Sequence, residues 1–321
     1  MNETAVYSLE NPGGVRVGLS AMGASIREVV TPDRAGRFVN VALPQTIPPH
    51  GSYAGATLAP FAGRIRGGLL PVEGGVWRLA LNDGPNQLHG GPHNLANVRW
   101  KTEGARQEAG FQSIRFFAEA AHGLDGFPGN RAFAVTYRLW EDNRLEILLY
   151  AESDRSTRMS LSNHAYWNLS GDFSHAPSGQ LLQIAAERVY WNDGAHLPVE
   201  KRPVGGTPFD FRAPAPLVER VSGNHPQLAI ARGFNHAFAL NAPDGAPAAT
   251  LTDPRGGRRL RLYTDQPVLW LYSGGYLPVP SCAVALEAEG TPDGPGELVA
   301  PGRPYSRRIC FVFDTAAAPE P

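Results

Sequence analysis

Phe133 to Leu149 reads FAVTYRLWEDNRLEILL. Phe133, Val135, Tyr137 and Leu139 alternate with Ala134, Thr136 and Arg138, and Leu145, Ile147 and Leu149 resume the alternation after Glu141-Asp142-Asn143. A repeat of two places successive side chains on opposite faces, so each arm is a strand buried on one side. The polar triplet between them closes a hairpin. A second hairpin follows the same logic. Ala249-Thr250-Leu251-Thr252 and Leu260-Arg261-Leu262-Tyr263 flank Asp253-Pro254-Arg255-Gly256-Gly257, a turn with a fixed φ at Pro and room for a positive φ at Gly. Shorter strand-like runs stand at Val15 to Leu19 and at Ile309 to Phe313. Glu103 to Ala121, broken by Gly104 and Gly110, fits strands better than a helix.

Composition generalises that reading. Gly and Pro fill 36 and 29 of the 321 positions, about a fifth of the chain against a usual share of roughly 12%. Long helices cannot carry that density, because Pro and Gly cost about 3 and 1 kcal/mol inside them. With 42% hydrophobic and 9% aromatic residues, the chain can bury a large core, which excludes disorder. The breakers are spread along the whole length, with no linker, repeat or charge block. An all-β chain in one unit is expected.

Charge and cysteines narrow the partners. Twenty-nine Lys and Arg against 30 Asp and Glu give a net charge of −1, and the basic pairs Arg258-Arg259 and Arg307-Arg308 are short and scattered. No nucleic acid is expected as a partner. No run approaches 18 apolar residues, so no helical membrane span is expected. The beginning, Met1-Asn2-Glu3-Thr4, lacks a basic stretch followed by an apolar one, so no secretory leader is expected. Cys282 and Cys310 sit in apolar strand-like runs and read as buried free thiols. These features place the chain in the cytoplasm.

Four segments combine chemistry-bearing residues. In Gly63-Arg64-Ile65-Arg66-Gly67-Gly68, Arg64 offers a planar fork of donors for a carboxylate or a polyol, or else forms part of a solvated turn. In Leu88-His89-Gly90-Gly91-Pro92-His93, the glycines and proline oppose a helix that would align His89 and His93 on a metal. His89 either bonds a ligand approaching the backbone or bonds nearby carbonyls. Leu161 to Gly171, LSNHAYWNLSG, holds His164 among aromatics and amides. Aromatic faces beside amides suit a sugar, although a strand crossing the core could own Tyr166 and Trp167. Leu286-Glu287-Ala288-Glu289 puts two carboxylates on one face of a strand whose approach is apolar. Their pKa values rise if that face is buried and stay ordinary if the strand emerges into solvent. No GxSxG elbow, P-loop or GxGxxG fingerprint is present, so no nucleophilic triad and no nucleotide cofactor is expected.

Taken together, these segments resemble the aldose 1-epimerase (galactose mutarotase) family. Asn163-His164-Ala165-Tyr166-Trp167-Asn168-Leu169 resembles its histidine segment, Leu88-His89-Gly90-Gly91 its LHGG, and Leu286 to Asp293 its LExQxxPD. Gly206 to Phe211, and Met22 to Ile26 followed by Thr31-Pro32-Asp33, are similar to two further segments. The five occur in the family's order, and the likeness runs from about residue 15 to residue 313. It implies a large antiparallel β-sandwich, one mutarotase-like domain over residues 1–314, while Thr315-Ala316-Ala317-Ala318-Pro319-Glu320-Pro321 by its own composition is expected to be a frayed tail. It also implies cofactor-free interconversion of the α and β anomers of a free aldose. Carried over, Glu287 is the general base and His164 the general acid, while His89 and Arg64 bind the sugar.

The family pattern is broken around those residues. Gly63 stands where Asn is usual before the arginine, and Asn235 stands where a sugar-binding Asp falls in the segment similar to Gly233 to Phe238. Trp270 replaces a common Gln, and Glu289 another. Asn235 and Trp270 are thus expected in an altered substrate-binding shell. Loss of the Asp charge also admits a second reading, a carbohydrate-binding protein that keeps the fold without turnover. Retention of both an acid and a base favours the enzyme. Metal ions and cofactors are not expected, and the oligomeric state stays open.

Overall fold

The computed structural model describes residues 6–44, 53–221, 223–292 and 294–317. Its largest sheet has nine strands. In spatial order these are Lys101–Glu108, Phe111–Ala120, Arg131–Trp140, Arg144–Ser153, Tyr305–Thr315, Arg258–Thr264, Ala249–Thr252, Leu181–Ile184 and Ala215–Pro216, every pairing antiparallel. Both hairpins read from the sequence lie in it. Phe133, Val135, Tyr137 and Leu139 on one arm and Leu145, Ile147 and Leu149 on the other are all buried. Full burial of each such side chain contributes roughly 1.5–3 kcal/mol, which sets the register.

A six-stranded sheet carries the chemistry. Its order is Tyr166–Trp167, Val284–Glu289, Val268–Tyr272, Asn235–Ala239, Arg188–Asn192 and Pro198–Pro203, again antiparallel throughout. Leu286, Ala288, Leu269, Leu271 and Phe238 point from one face into the same hydrophobic cluster as Tyr137, Ile147, Phe311 and Leu262 of the nine-stranded sheet. The two sheets form the expected sandwich. The alternate residues of the six-stranded sheet, Glu287, Glu289, Trp270 and Tyr272, face away from that core, toward a cavity. A smaller sheet of four strands, Val6–Glu10, Arg16–Ser20, Ser25–Pro32 and Phe38–Asn40, adds Val17, Leu19 and Val29 to the main cluster.

The α-helices among the described residues are Leu217–Val221 and Pro226–Ala231, two short pieces that carry no periodic signal in the sequence. No helix in the described residues is long and apolar enough to cross a membrane. Both cysteines are buried free thiols. The expected frayed tail is corrected in part. Thr315 ends a strand, Ala316 donates its N–H to the Gly257 carbonyl at 2.7 Å, and Arg34 donates to the carbonyls of Ala316 and Ala317. Residues 318–321 of that tail, and Asp293 of the carboxylate segment, lie outside the described residues.

Candidate active site

The segment 161–171 switches between sheets, and its polar residues hold that crossing. Ser162 donates its Oγ–H to the Ala288 carbonyl at 2.7 Å, tying the segment to the strand that carries Glu287. The Asn163 amide donates to the Gly55 carbonyl at 2.9 Å and to Tyr137 Oη at 3.2 Å, and its oxygen accepts from the Ala165 N–H. Asn168 donates to the carbonyls of Asp172 and Cys282. The amides read as sugar ligands are therefore structural. Trp167 belongs to the core, tilted against the rings of Phe311 and Phe313. His164 and Tyr166 alone of this segment reach the cavity.

That cavity holds about 360 Å³, within the range of small-molecule sites. Glu287, His164, His89, Arg64, Asn235 and Trp270 all line it, arriving from six separate stretches of chain. His164 Nε2 stands 3.6 Å from Glu287 Oε2, and both side chains are almost fully buried. The His164 ring lies 4.8 Å from the ring of Tyr166, roughly parallel, and 5.6 Å from that of His89, edge-on. Its Nδ1 is buried without a hydrogen-bond partner among the described residues.

Electrostatics follow from this enclosure. Burial pushes the His164 imidazole down to about 4. Burial raises the Glu287 carboxyl well above the usual carboxylate range. The Glu289 charge adds to that rise and Arg64 opposes it. Burial raises Glu289 as well, to about 8. His89 is pushed well down by burial and by the charges of His164 and Arg64, so it is neutral. Its Nδ1 accepts the Gly63 N–H at 3.2 Å, which leaves the ring proton on Nε2 as a donor.

Arg64 is anchored by a 2.7 Å hydrogen bond from Nε to Asp83 Oδ2. Its Nη groups make no hydrogen bond among the described residues and remain for a ligand. Trp270 sits directly across from Glu287 on the neighbouring strand and donates its indole N–H to Asn235 Oδ1 at 2.5 Å. Indole is a donor only, so the contact fixes the amide with oxygen toward Trp270 and its NH₂ free. Asn235 thus presents donors to the cavity where a carboxylate would present acceptors.

Other expectations need correction. Gly90 and Gly91 do not bring backbone to a ligand. Gly90 has φ 89°, and a Cβ there would lie 2.8 Å from Pro60 Cδ and 2.9 Å from the Ala59 carbonyl oxygen. The glycines let the histidine loop pack on its own protein. His93 is held by Asp125 at 2.9 Å and does not line the cavity. Among the described residues, no group of three or more His, Cys, Asp and Glu is placed to hold a metal ion. Tyr53, Tyr276 and His196 also line the cavity, and no local spacing marks them. His196 arrives on the turn after Asp193 with φ 59°.

The arrangement can remove a proton from one oxygen of a small polyol and deliver another to a second. A model of the family described as Aldose 1-epimerase matches residues 5–307. The aldose 1-epimerase of Escherichia coli strain K12 is 30% identical over 332 residues, which cover 96% of this chain and 94% of that protein. The galactose mutarotase of Homo sapiens is 30% identical over 330 residues, 94% of this chain and 92% of its own. In three dimensions, the galactose 1-epimerase from Lactobacillus acidophilus NCFM superposes with a TM-score of 0.87 at 27% identity, over 97% of this chain and 94% of that one. Fold, sequence and the ordered segments agree: this chain is a member of the aldose 1-epimerase family.

Proposed function

We propose that Glu287 and His164 carry out, in this cavity, the anomer interconversion that family membership assigns to the chain, an isomerase. The observation that carries the assignment is the buried pair, 3.6 Å apart at a polyol-sized cavity. Its proton arithmetic supports the roles. A carboxylate with an imidazolium holds the same number of protons as a carboxylic acid with a neutral imidazole. Ring opening starts from the first form, which burial leaves the minority of the resting site: Glu287 takes the proton of the O1 hydroxyl, C1–O5 breaks, and His164 gives its proton to O5. The pair is then neutral, the form that burial favours. Desolvation therefore makes Glu287 a stronger base and His164 a stronger acid for the opening step. Half a turn about C1–C2 and reclosure on the other face reverse both transfers.

His89 donates from Nε2 to the ring oxygen or a neighbouring hydroxyl, the free Nη groups of Arg64 and the NH₂ of Asn235 hold hydroxyls, and Trp270 supplies a face for C–H groups. The sugar is a free aldose and needs no cofactor. The chain acts as one mutarotase-like domain over residues 1–314. Two buried free thiols suit a reducing compartment, so the cytoplasm is the proposed location.

Polarimetry on freshly dissolved α-glucose and α-galactose tests this. Glu287→Gln and His164→Asn are expected to lower kcat by about 10²–10⁴ each, the usual worth of a general acid or base. If the wild type exceeds the spontaneous rate on no aldose in a panel, the function is wrong. Full activity in Glu287→Gln would remove the base assignment alone.

A further inference from the structure

Among the described residues, eight that are not glycine have a positive φ, and the three of them that carry a ring, Tyr53, His89 and His196, all line the acid–base cavity. The left-handed region strains an L side chain, and strain of this kind collects where a fold places a functional group. His89 serves the sugar on the reading above. His196, with φ 59°, has no task in it.

The turn that carries His196 does not need its ring. Asp193 Oδ1 accepts the N–H groups of Ala195 at 2.9 Å and Leu197 at 3.1 Å, the Asp193 N–H reaches the Leu197 carbonyl at 2.9 Å, and Arg66 holds Asp193 Oδ2 at 3.1 Å. Each of these bonds involves Asp193 and none the imidazole, so glycine or asparagine at 196 would close the same turn with less strain. The ring instead lines the cavity, edge-on to Tyr276 with ring centres 6.3 Å apart.

Its chemistry suits a hydroxyl. Burial, with the charge of Arg64, holds the imidazole below its ordinary value, while Asp83 and Asp193 oppose that, so the ring is neutral at pH 7. Nδ1 of His196 is buried without a hydrogen-bond partner among the described residues. A proton there would be an orphaned donor, so the ring keeps it on Nε2. The turn is also tied to the side of the cavity that holds hydroxyls: the Asn192 amide donates to the Asn235 carbonyl at 2.7 Å, and Arg66 lies two residues from Arg64. Glu287 and His164 take the O1 and O5 end of the sugar, which leaves His196 a hydroxyl farther round the ring.

We propose that His196 is a specificity-determining residue that donates from Nε2 to one non-anomeric hydroxyl of the bound aldose. This rests on the anomerase reading above and adds to it a selector of substrate. No new chemical step is required.

The test is polarimetry on the aldose that the wild type turns over fastest and on its monodeoxy derivatives, with wild type, His196→Gly and His196→Asn. On the parent sugar, His196→Gly is expected to raise KM about five- to tenfold with kcat within about twofold. On one derivative, the one lacking the hydroxyl that His196 binds, wild type and His196→Gly should agree in kcat/KM within about twofold, because the lost contact cannot be lost twice. His196→Asn tolerates the same backbone and brings an amide donor, so it should recover part of the KM. Thermal melts should place His196→Gly at or above the wild type, because glycine relieves the turn. An unchanged KM, or a penalty equal on every derivative, would overturn the proposal and leave the anomerase reading standing. So would a fall in kcat at constant KM, which would place the ring in the proton transfers, or a lower Tm in both variants with unchanged KM, which would give it to the fold. Absence of turnover on every sugar would instead defeat the anomerase reading, and this proposal with it.

Discussion

On the proposed function, single side chains decide how the cavity treats a sugar, and the Asn235–Trp270 contact is the clearest case. The indole N–H occupies the amide oxygen, so the two departures from the family pattern act as one unit. Trp270→Phe keeps a flat ring but leaves Asn235 Oδ1 without its donor. Loss of such a bond costs about 1 kcal/mol, so KM is expected to rise roughly five- to tenfold with kcat nearly unchanged, as initial-rate polarimetry would show. A fall in kcat at constant KM would mean that the pair serves the proton transfers instead. The residue types and the strand periodicity marked Glu287, His164, His89 and Arg64, because acid–base chemistry needs few kinds of side chain and these stood beside glycines or apolar runs. The same logic misjudged Asn163 and Asn168, since an amide that caps backbone and one that faces a ligand look alike in sequence. Tyr53, His196 and Tyr276 were invisible for a different reason. Each reaches the cavity through tertiary packing, which leaves no spacing to read.

Strands and crossings turn residue chemistry into geometry. Val284–Glu289 is buried along its full length, yet its two faces differ: Leu286 and Ala288 enter the core, while Glu287 and Glu289 face the cavity. A slip of one residue would exchange them. The hooks on the neighbouring segment prevent that. Ser162 holds the Ala288 carbonyl, and Ser160 Oγ accepts the Gly290 N–H at 3.0 Å. Asn163 fixes the turn that presents His164. Asn163→Ala would leave the Ala165 N–H unmatched in a buried place and take from the Gly55 carbonyl one of its two donors, the other being the Ile26 N–H. We expect a loss of about 1–3 kcal/mol, read as a lower urea midpoint at unchanged m-value. Under conditions where the variant is still folded, kcat should fall at least tenfold, because His164 is no longer held against Glu287. Stability loss with wild-type kcat would show that Asn163 serves the fold alone. That local alternation was readable because period two is a local signal; the hooks were not, because their partners lie more than a hundred residues away.

Across the whole molecule, the sandwich closes through pairings of still longer range. Arg144–Ser153 pairs with Tyr305–Thr315, and the latter with Arg258–Thr264. The hairpins announced their own neighbours, but the order of nine strands depends on pairings between strands far apart in the chain, and no turn residue records those. The closed structure buries ionisable groups that it keeps neutral, and stability should report this. Glu289 has its folded value raised to about 8, well above that of an unfolded glutamate near 4.3. Between those values the folded chain keeps a proton that the unfolded chain has released. Folding takes up that proton, so stability is full below about pH 4.3 and declines as pH rises through about 8. Glu287 contributes in the same direction. His164 and His236, lowered to about 4 and about 3, act oppositely: they withdraw stability as pH falls below about 6.5. Glu289→Gln keeps shape and neutrality while removing one titration. Thermal melts from pH 5 to 8 should therefore show a shallower decline of Tm in Glu289→Gln than in the wild type, with the gap widening toward pH 8. Parallel curves would mean that Glu289 is ionised in the folded protein.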